Sequence, residues 1–217
     1  MIENLASNMA KKKEKRVVIE LYYDFQKAYD NVNNVFLEEL LYVCCFPLQI
    51  QMPIIEMMTR WKTRLSYGEK KEVGEVSLTN CTIQGDAFSP LLFVLMIDPL
   101  IKILKTRLGD RVEVLYYMDD LKASVNSIEM AQNVHLTVKE YAASAEMIIN
   151  NMKCAIQLNF MTPLPQSLQD IPRMDEITYK YLGFEMKKGQ VEMKEMTEKL
   201  EGRIKDKLDE PTKRGRV

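Results

Sequence analysis

Apolar residues in this chain switch between two spacings, and the switches mark out its elements. Val17 to Phe25 is an almost unbroken β-branched and aromatic run, the pattern of a strand buried on both faces and ending at Asp24. After Asn31-Val32-Asn33 the spacing turns helical through Phe36, Leu37, Leu40 and Leu41, and Phe46-Pro47 stops it. A second helix is predicted over Pro53 to Trp61, with Pro53 near its first turn. Arg64 to Tyr67 and Glu72 to Leu78 alternate as two short strands joined around Gly68, and Thr82 to Gly85 reads as a loop. Pro90 then opens a strongly apolar helix to Leu104, whose Met96, Ile97, Leu100 and Leu104 are core positions. Val112 to Tyr117 and Leu121 to Val125 predict a tight hairpin with Met118-Asp119-Asp120 at its tip.

A long helix follows from Ile128 to Ala145, carrying His135 as a structural residue. Strands are predicted at Met147 to Ile149, Ala155 to Leu158 and Thr178 to Met186, before a charged tail from Lys187 that reads as a frayed helix. Strands and helices interleave around an antiparallel hairpin, so the expected fold class is α+β, a sheet covered on one face by helices.

Composition narrows the picture only a little. With 217 residues, 47% of them hydrophobic and 28% charged, the chain can build one domain with a real core and a small appendage. A net charge of −1 excludes any global basic signature, so a nucleic-acid footprint would have to be local. The run Lys11 to Arg16 ends a polar leader and reads either as a solvated segment or as a nucleic-acid or nuclear-localisation patch. Cys44, Cys45, Cys81 and Cys154 form no C-x-x-C pair, so buried reduced thiols are expected rather than zinc. The longest apolar run, Phe88 to Ile97, is too short for a bilayer and no signal peptide is visible. No membrane role is expected, and the location is intracellular, nucleus or cytoplasm.

The chemistry lies in the acids. Asp24, Asp119 and Asp120 sit among large apolar residues, where an ionised carboxylate is costly unless a cation compensates it or it keeps its proton. Brought to one sheet edge, three such acids make a hard oxygen site for Mg²⁺. Two-metal phosphoryl transfer needs this donor set, with ions ~3.5–4 Å apart clamping the attacking and leaving oxygens.

Five segments in order resemble the reverse-transcriptase palm, most closely that of non-LTR retrotransposons. They are Tyr23-Asp24-Phe25-Gln26-Lys27-Ala28-Tyr29-Asp30-Asn31-Val32, Ile83-Gln84-Gly85-Asp86-Ala87-Phe88-Ser89-Pro90-Leu91-Leu92-Phe93, Tyr117-Met118-Asp119-Asp120, Met147 to Lys153, and Tyr179-Lys180-Tyr181-Leu182-Gly183. The resemblance implies an RNA-directed DNA polymerase fragment acting on an RNA template, a DNA primer and deoxynucleoside triphosphates. It implies two Mg²⁺ ions, with Mn²⁺ as a substitute, held by Asp24, Asp119, Asp120 and the Phe25 carbonyl. Tyr29 would face the nucleotide sugar, Gln84 and Gly85 would contact the nucleotide and template base, and Lys153 would neutralise or protonate the pyrophosphate. Asp30 is expected to cap the helix that starts at Asn31.

The implied organisation is a leader over 1–16, a palm-like domain over 17–186 and a tail over 187–217 that starts a thumb or is disordered. Fingers would be largely missing and the thumb truncated, both to be supplied by flanking sequence. Ile83 stands where the family often has arginine, and Glu146 where it usually has glycine. Two other readings remain open: an inactive remnant that binds nucleic acid without catalysis, and a nucleotidyl cyclase on a related palm.

Overall fold

Strand β1 (Ile19–Tyr23) occupies the middle of the molecule, all five residues buried. The computed structural model describes residues 17–67, 71–78, 88–181, 184–187 and 190–191. The leader, the loop carrying Gln84 and Gly85, Cys81, Leu182-Gly183 and most of the tail lie outside the described residues.

The remaining elements are α1 (Asn34–Val43), α2 (Leu48–Thr59), β2 (Lys62–Tyr67), β3 (Lys71–Ser77), α3 (Ser89–Leu108), β4 (Glu113–Tyr117), β5 (Asp120–Val125), α4 (Ile128–Ser144), β6 (Ala155–Leu158), β7 (Thr178–Tyr181), β8 (Phe184–Lys187) and β9 (Gln190–Val191). The central sheet has the order β4-β5-β1-β6, and every pairing in it is antiparallel. Alternation along the strands sorts its two faces. Ile19, Leu21 and Tyr23 of β1, with Leu121, Ala123 and Val125 of β5, join a core closed by α1, α2, α3 and α4. Tyr22 and Ala155 turn the other way and pack with Met174, Tyr179 and Met186, so β7 and β8 cover part of the opposite face. The α+β architecture is therefore as the sequence predicts.

Helix ends follow local chemistry. The Asn33 side chain accepts from the Phe36 N–H at 2.9 Å and starts α1, while Ser127 does the same for Met130 at 3.2 Å in α4. Asp30 is not the cap: it lies in a preceding turn, where the Asp30 and Asn31 N–H groups both donate to the Lys27 carbonyl, and the helix begins only at Asn34. Both α1 and α4 end in the same backbone arrangement. Phe46 N–H reaches the Leu41 carbonyl and Cys45 N–H the Tyr42 carbonyl, and Met147 and Glu146 repeat the pattern on Ala142 and Ala143. This closure places Cys45 and Glu146 in the left-handed region, each at φ 54°.

Four further expectations change. Helix α2 starts at Leu48 behind Pro47, so Pro53 lies inside it, where its missing N–H forfeits one hydrogen bond. Thr178 to Met186 is not one strand but the β7–β8 hairpin, with Tyr181 paired to Phe184. Cys44 and Cys45 are exposed because the end of α1 turns outward there, and only Cys154 of the described cysteines is buried. Residues 147–149 form a single bridge at Ile149 rather than a strand. Among the described residues, no helix is long and apolar enough to cross a membrane.

Candidate active site

The register of β1 on β5 pairs Tyr23 with Leu121, and one further step sets Asp24 across from Asp120. Asp120 opens β5 opposite Tyr117, leaving Met118 and Asp119 as a two-residue turn in which Met118 takes φ 54°. Alternation puts Asp24 and Asp120 on the same sheet face as Tyr22 and Lys122, away from the helical core. Two acids far apart in the chain thus meet at one strand end, with the third in the adjoining turn.

Their electrostatics are those of crowded anions. Partial burial raises the Asp24 carboxyl; the Lys153 ammonium opposes this, Asp119 adds to it, and a hydrogen bond from the Asn150 side chain opposes it again. Asp120 is pushed up to about 6, by burial first and then by Asp119 and Asp24. Lys153 Nζ stands 3.9 Å from Asp24 Oδ2 and is itself well exposed, so it offsets the anionic charge only partly.

The backbone beside Asp24 is held firmly. Asn150 N–H donates to the Asp24 carbonyl at 2.9 Å and Gln26 N–H to the Ile148 carbonyl at 2.8 Å. These bonds flank the Phe25–Ile149 bridge, so the N–H and C=O of Phe25 point away from that segment, toward the side on which β1 carries β5. Tyr29 packs its ring 5.3 Å from that of Phe93 on α3, and burial, then Asp119 and Tyr117, raise its hydroxyl.

Asp24, Asp119, Asp120, Tyr29, Phe25 and Lys153 are therefore brought to one end of the sheet, while Gln84 and Gly85 lie outside the described residues. The donor set is all hard oxygen with a deficit of positive charge, the chemistry a divalent cation answers. As the side chains stand, no three acid, histidine or cysteine groups among the described residues close around a metal position.

Sequence reasoning missed two supports. Asn150 anchors Asp24 through both its backbone and its side chain. Lys122 is buried and pairs with buried Glu20 at 2.9 Å, its ammonium 5.2 Å above the Tyr22 ring. Tyr22 donates its hydroxyl to Glu20 at 3.0 Å and touches the rings of Tyr179 and Tyr181. The signal for Lys122 was available: it lies two residues beyond Asp120 in a strand, hence on the same face. His135, which the sequence marks as structural, contacts Tyr23 on the other face.

Comparison with known proteins fits this geometry. Solved structures of telomerase from Candida tropicalis are similar: one in complex with a TWJ fragment of telomeric RNA gives a TM-score of 0.63 at 10% identity, and the apo form 0.62 at 11%. Each match covers 88% of this chain but 33% and 36% of the telomerase chain respectively, so the chain spans about a third of those proteins. At that identity the likeness speaks for the fold alone. A direct search of curated protein sequences finds no match. The family model described as reverse transcriptase (RNA-dependent DNA polymerase) matches residues 1–186. The chain accordingly belongs to the reverse transcriptase family.

Proposed function

We propose that this chain is the palm-bearing part of a retroelement RNA-directed DNA polymerase, of the non-LTR kind, and that Asp24, Asp119 and Asp120 are its catalytic acids. The observation that carries the reading is the meeting of Asp24 with Asp120 across two antiparallel strands, Asp119 in the adjoining turn, all under mutual repulsion. The three carboxylates and the Phe25 carbonyl would hold divalent cations, Mg²⁺ in the first instance. Bound there, such ions supply charge stabilisation at the attacking primer hydroxyl and the leaving pyrophosphate.

The chain's own residues would do the rest. Asn150 and the Phe25–Ile149 bridge hold Asp24 in place before any substrate arrives. Lys153, beside Asp24, places a cation where pyrophosphate charge would grow. Tyr29, backed by Phe93, closes the pocket against the sugar of a deoxynucleotide. The RNA template and DNA primer would lie along the sheet face that carries the acids.

Primer extension on an RNA template, with Mg²⁺ and wild type beside Asp119→Ala, tests this. Extension by wild type and its loss in the variant is expected, and equal incorporation by both defeats the reading. A second reading, a nucleic-acid-binding module without catalysis, draws on one observation: the described acids do not enclose a metal position as they stand. RNA binding with no extension by either protein would favour it.

A further inference from the structure

We infer that His135 is a positioning residue for Asp24, acting through Tyr23 by a hydrogen-bond chain that also takes in Asp170. Tyr23 and His135 are both buried, and the phenol oxygen lies 3.2 Å from His135 Nδ1. His135 Nε2 lies 3.1 Å from Asp170 Oδ1, and Lys139 Nζ lies 3.0 Å from Asp170 Oδ2. A carboxylate only accepts, so Nε2 carries the ring proton, and bare Nδ1 accepts from the Tyr23 hydroxyl. Each group is thus used in a single role. The same second-partner logic fixes the tautomer and orientation of histidines that ligate metals. The two rings also stack, 5.9 Å apart and 12° from parallel, which restricts how the phenol can turn.

The chain runs from α4 and the 170 turn to the last residue of β1. Tyr23 faces the helical core and Asp24 the opposite side, so a fixed phenol sets the backbone from which the Asp24 carboxylate departs. Asn150 N–H holds the Asp24 carbonyl from the neighbouring segment. The acid is therefore located by two independent attachments, and the core-side one ends on a histidine. A phenylalanine at 23 would keep the ring in the core but leave buried His135 Nδ1 without the partner that the phenol supplies; what the phenol adds is a defined orientation.

This rests on the reading of Asp24 as a catalytic acid, and the test separates the two. The full chain and its Tyr23→Phe variant are compared by amide hydrogen exchange and by primer extension. The variant should exchange about tenfold faster at Asn150 and Gln26, with amides in the middle of β1 and β5 unchanged. Its kcat should fall about tenfold, with the deoxynucleotide KM held within about twofold. His135→Gln, whose amide can both accept and donate, should stay near wild type, while His135→Leu should behave like Tyr23→Phe. That pair repeats the comparison if Tyr23→Phe does not fold. Exchange accelerated evenly across the sheet, or unchanged at Asn150, overturns the inference. If the wild type extends no primer, the polymerase proposal fails while the exchange result still decides this one.

Discussion

Asp120 carries a stability cost that the proposed chemistry explains, and replacing it by asparagine should make the protein more stable. Its carboxyl is raised from 3.8 to about 6 by burial, Asp119 and Asp24. The full conversion of such a shift is roughly 3 kcal/mol. Asp120 is only half-buried, so solvent screening reduces this to about 1 kcal/mol. The sign follows from the direction. A folded-state value above the unfolded one means that the folded protein binds more protons between pH 4 and 6, so stability falls as pH rises through that window and stays low above it. Asparagine keeps the shape and removes the charge. Asp120→Asn should therefore gain about 1 kcal/mol at pH 7.5, a rise in Tm of about 2–4 °C for a chain of this size, and almost nothing at pH 4. Thermal unfolding of both proteins at the two pH values, without divalent cations, measures it. A variant no more stable than wild type at pH 7.5, or one with the same gain at both pH values, refutes crowded charge as the cause.

The other predictions concern single contacts. Lys122→Met leaves the Glu20 carboxylate buried without its ammonium and should cost about 3–5 kcal/mol in urea unfolding, whereas Lys122→Met with Glu20→Leu should recover most of the loss. An undiminished single variant would show that the buried pair contributes nothing. Cys45→Gly relieves a left-handed residue at the end of α1 and should stabilise by about 1 kcal/mol. Glu146→Gly relieves the same strain but loses the 2.7 Å hydrogen bond from Asn33, so its gain should be smaller, and a larger gain contradicts the account. Lys153→Ala removes the cation that opposes the rise of the Asp24 carboxyl, so NMR titration of that carboxyl should show its proton affinity rising further. A fall would contradict the pairing.

Periodicity located most elements because burial is local along a strand or helix: β1, the β4–β5 hairpin, α3 and α4 all lie where the apolar pattern put them. It failed where two local signals competed. Pro53 read as a helix start, but Pro47 with Ile54 and Met58 on the buried side extended α2 backward across it. Asp30 and Asn33 both suit a cap, and only the turn bonds at Lys27 decided for Asn33.

The sequence alone was enough to reach the reverse transcriptase family, because five motifs fall in its order, and to single out the three acids as candidates, because a carboxylate among apolar residues is conspicuous wherever the chain later goes. What only the tertiary structure decided was the company each residue keeps. The β1–β5 register, not proximity in the chain, sets Asp24 against Asp120. The crossing of α4 over the core face brings a lone histidine to Tyr23, and the pleat of β5 turns Lys122 inward onto Glu20. Those pairings arise from packing between segments distant in sequence, and neither composition nor spacing encodes which distant partner a side chain will meet.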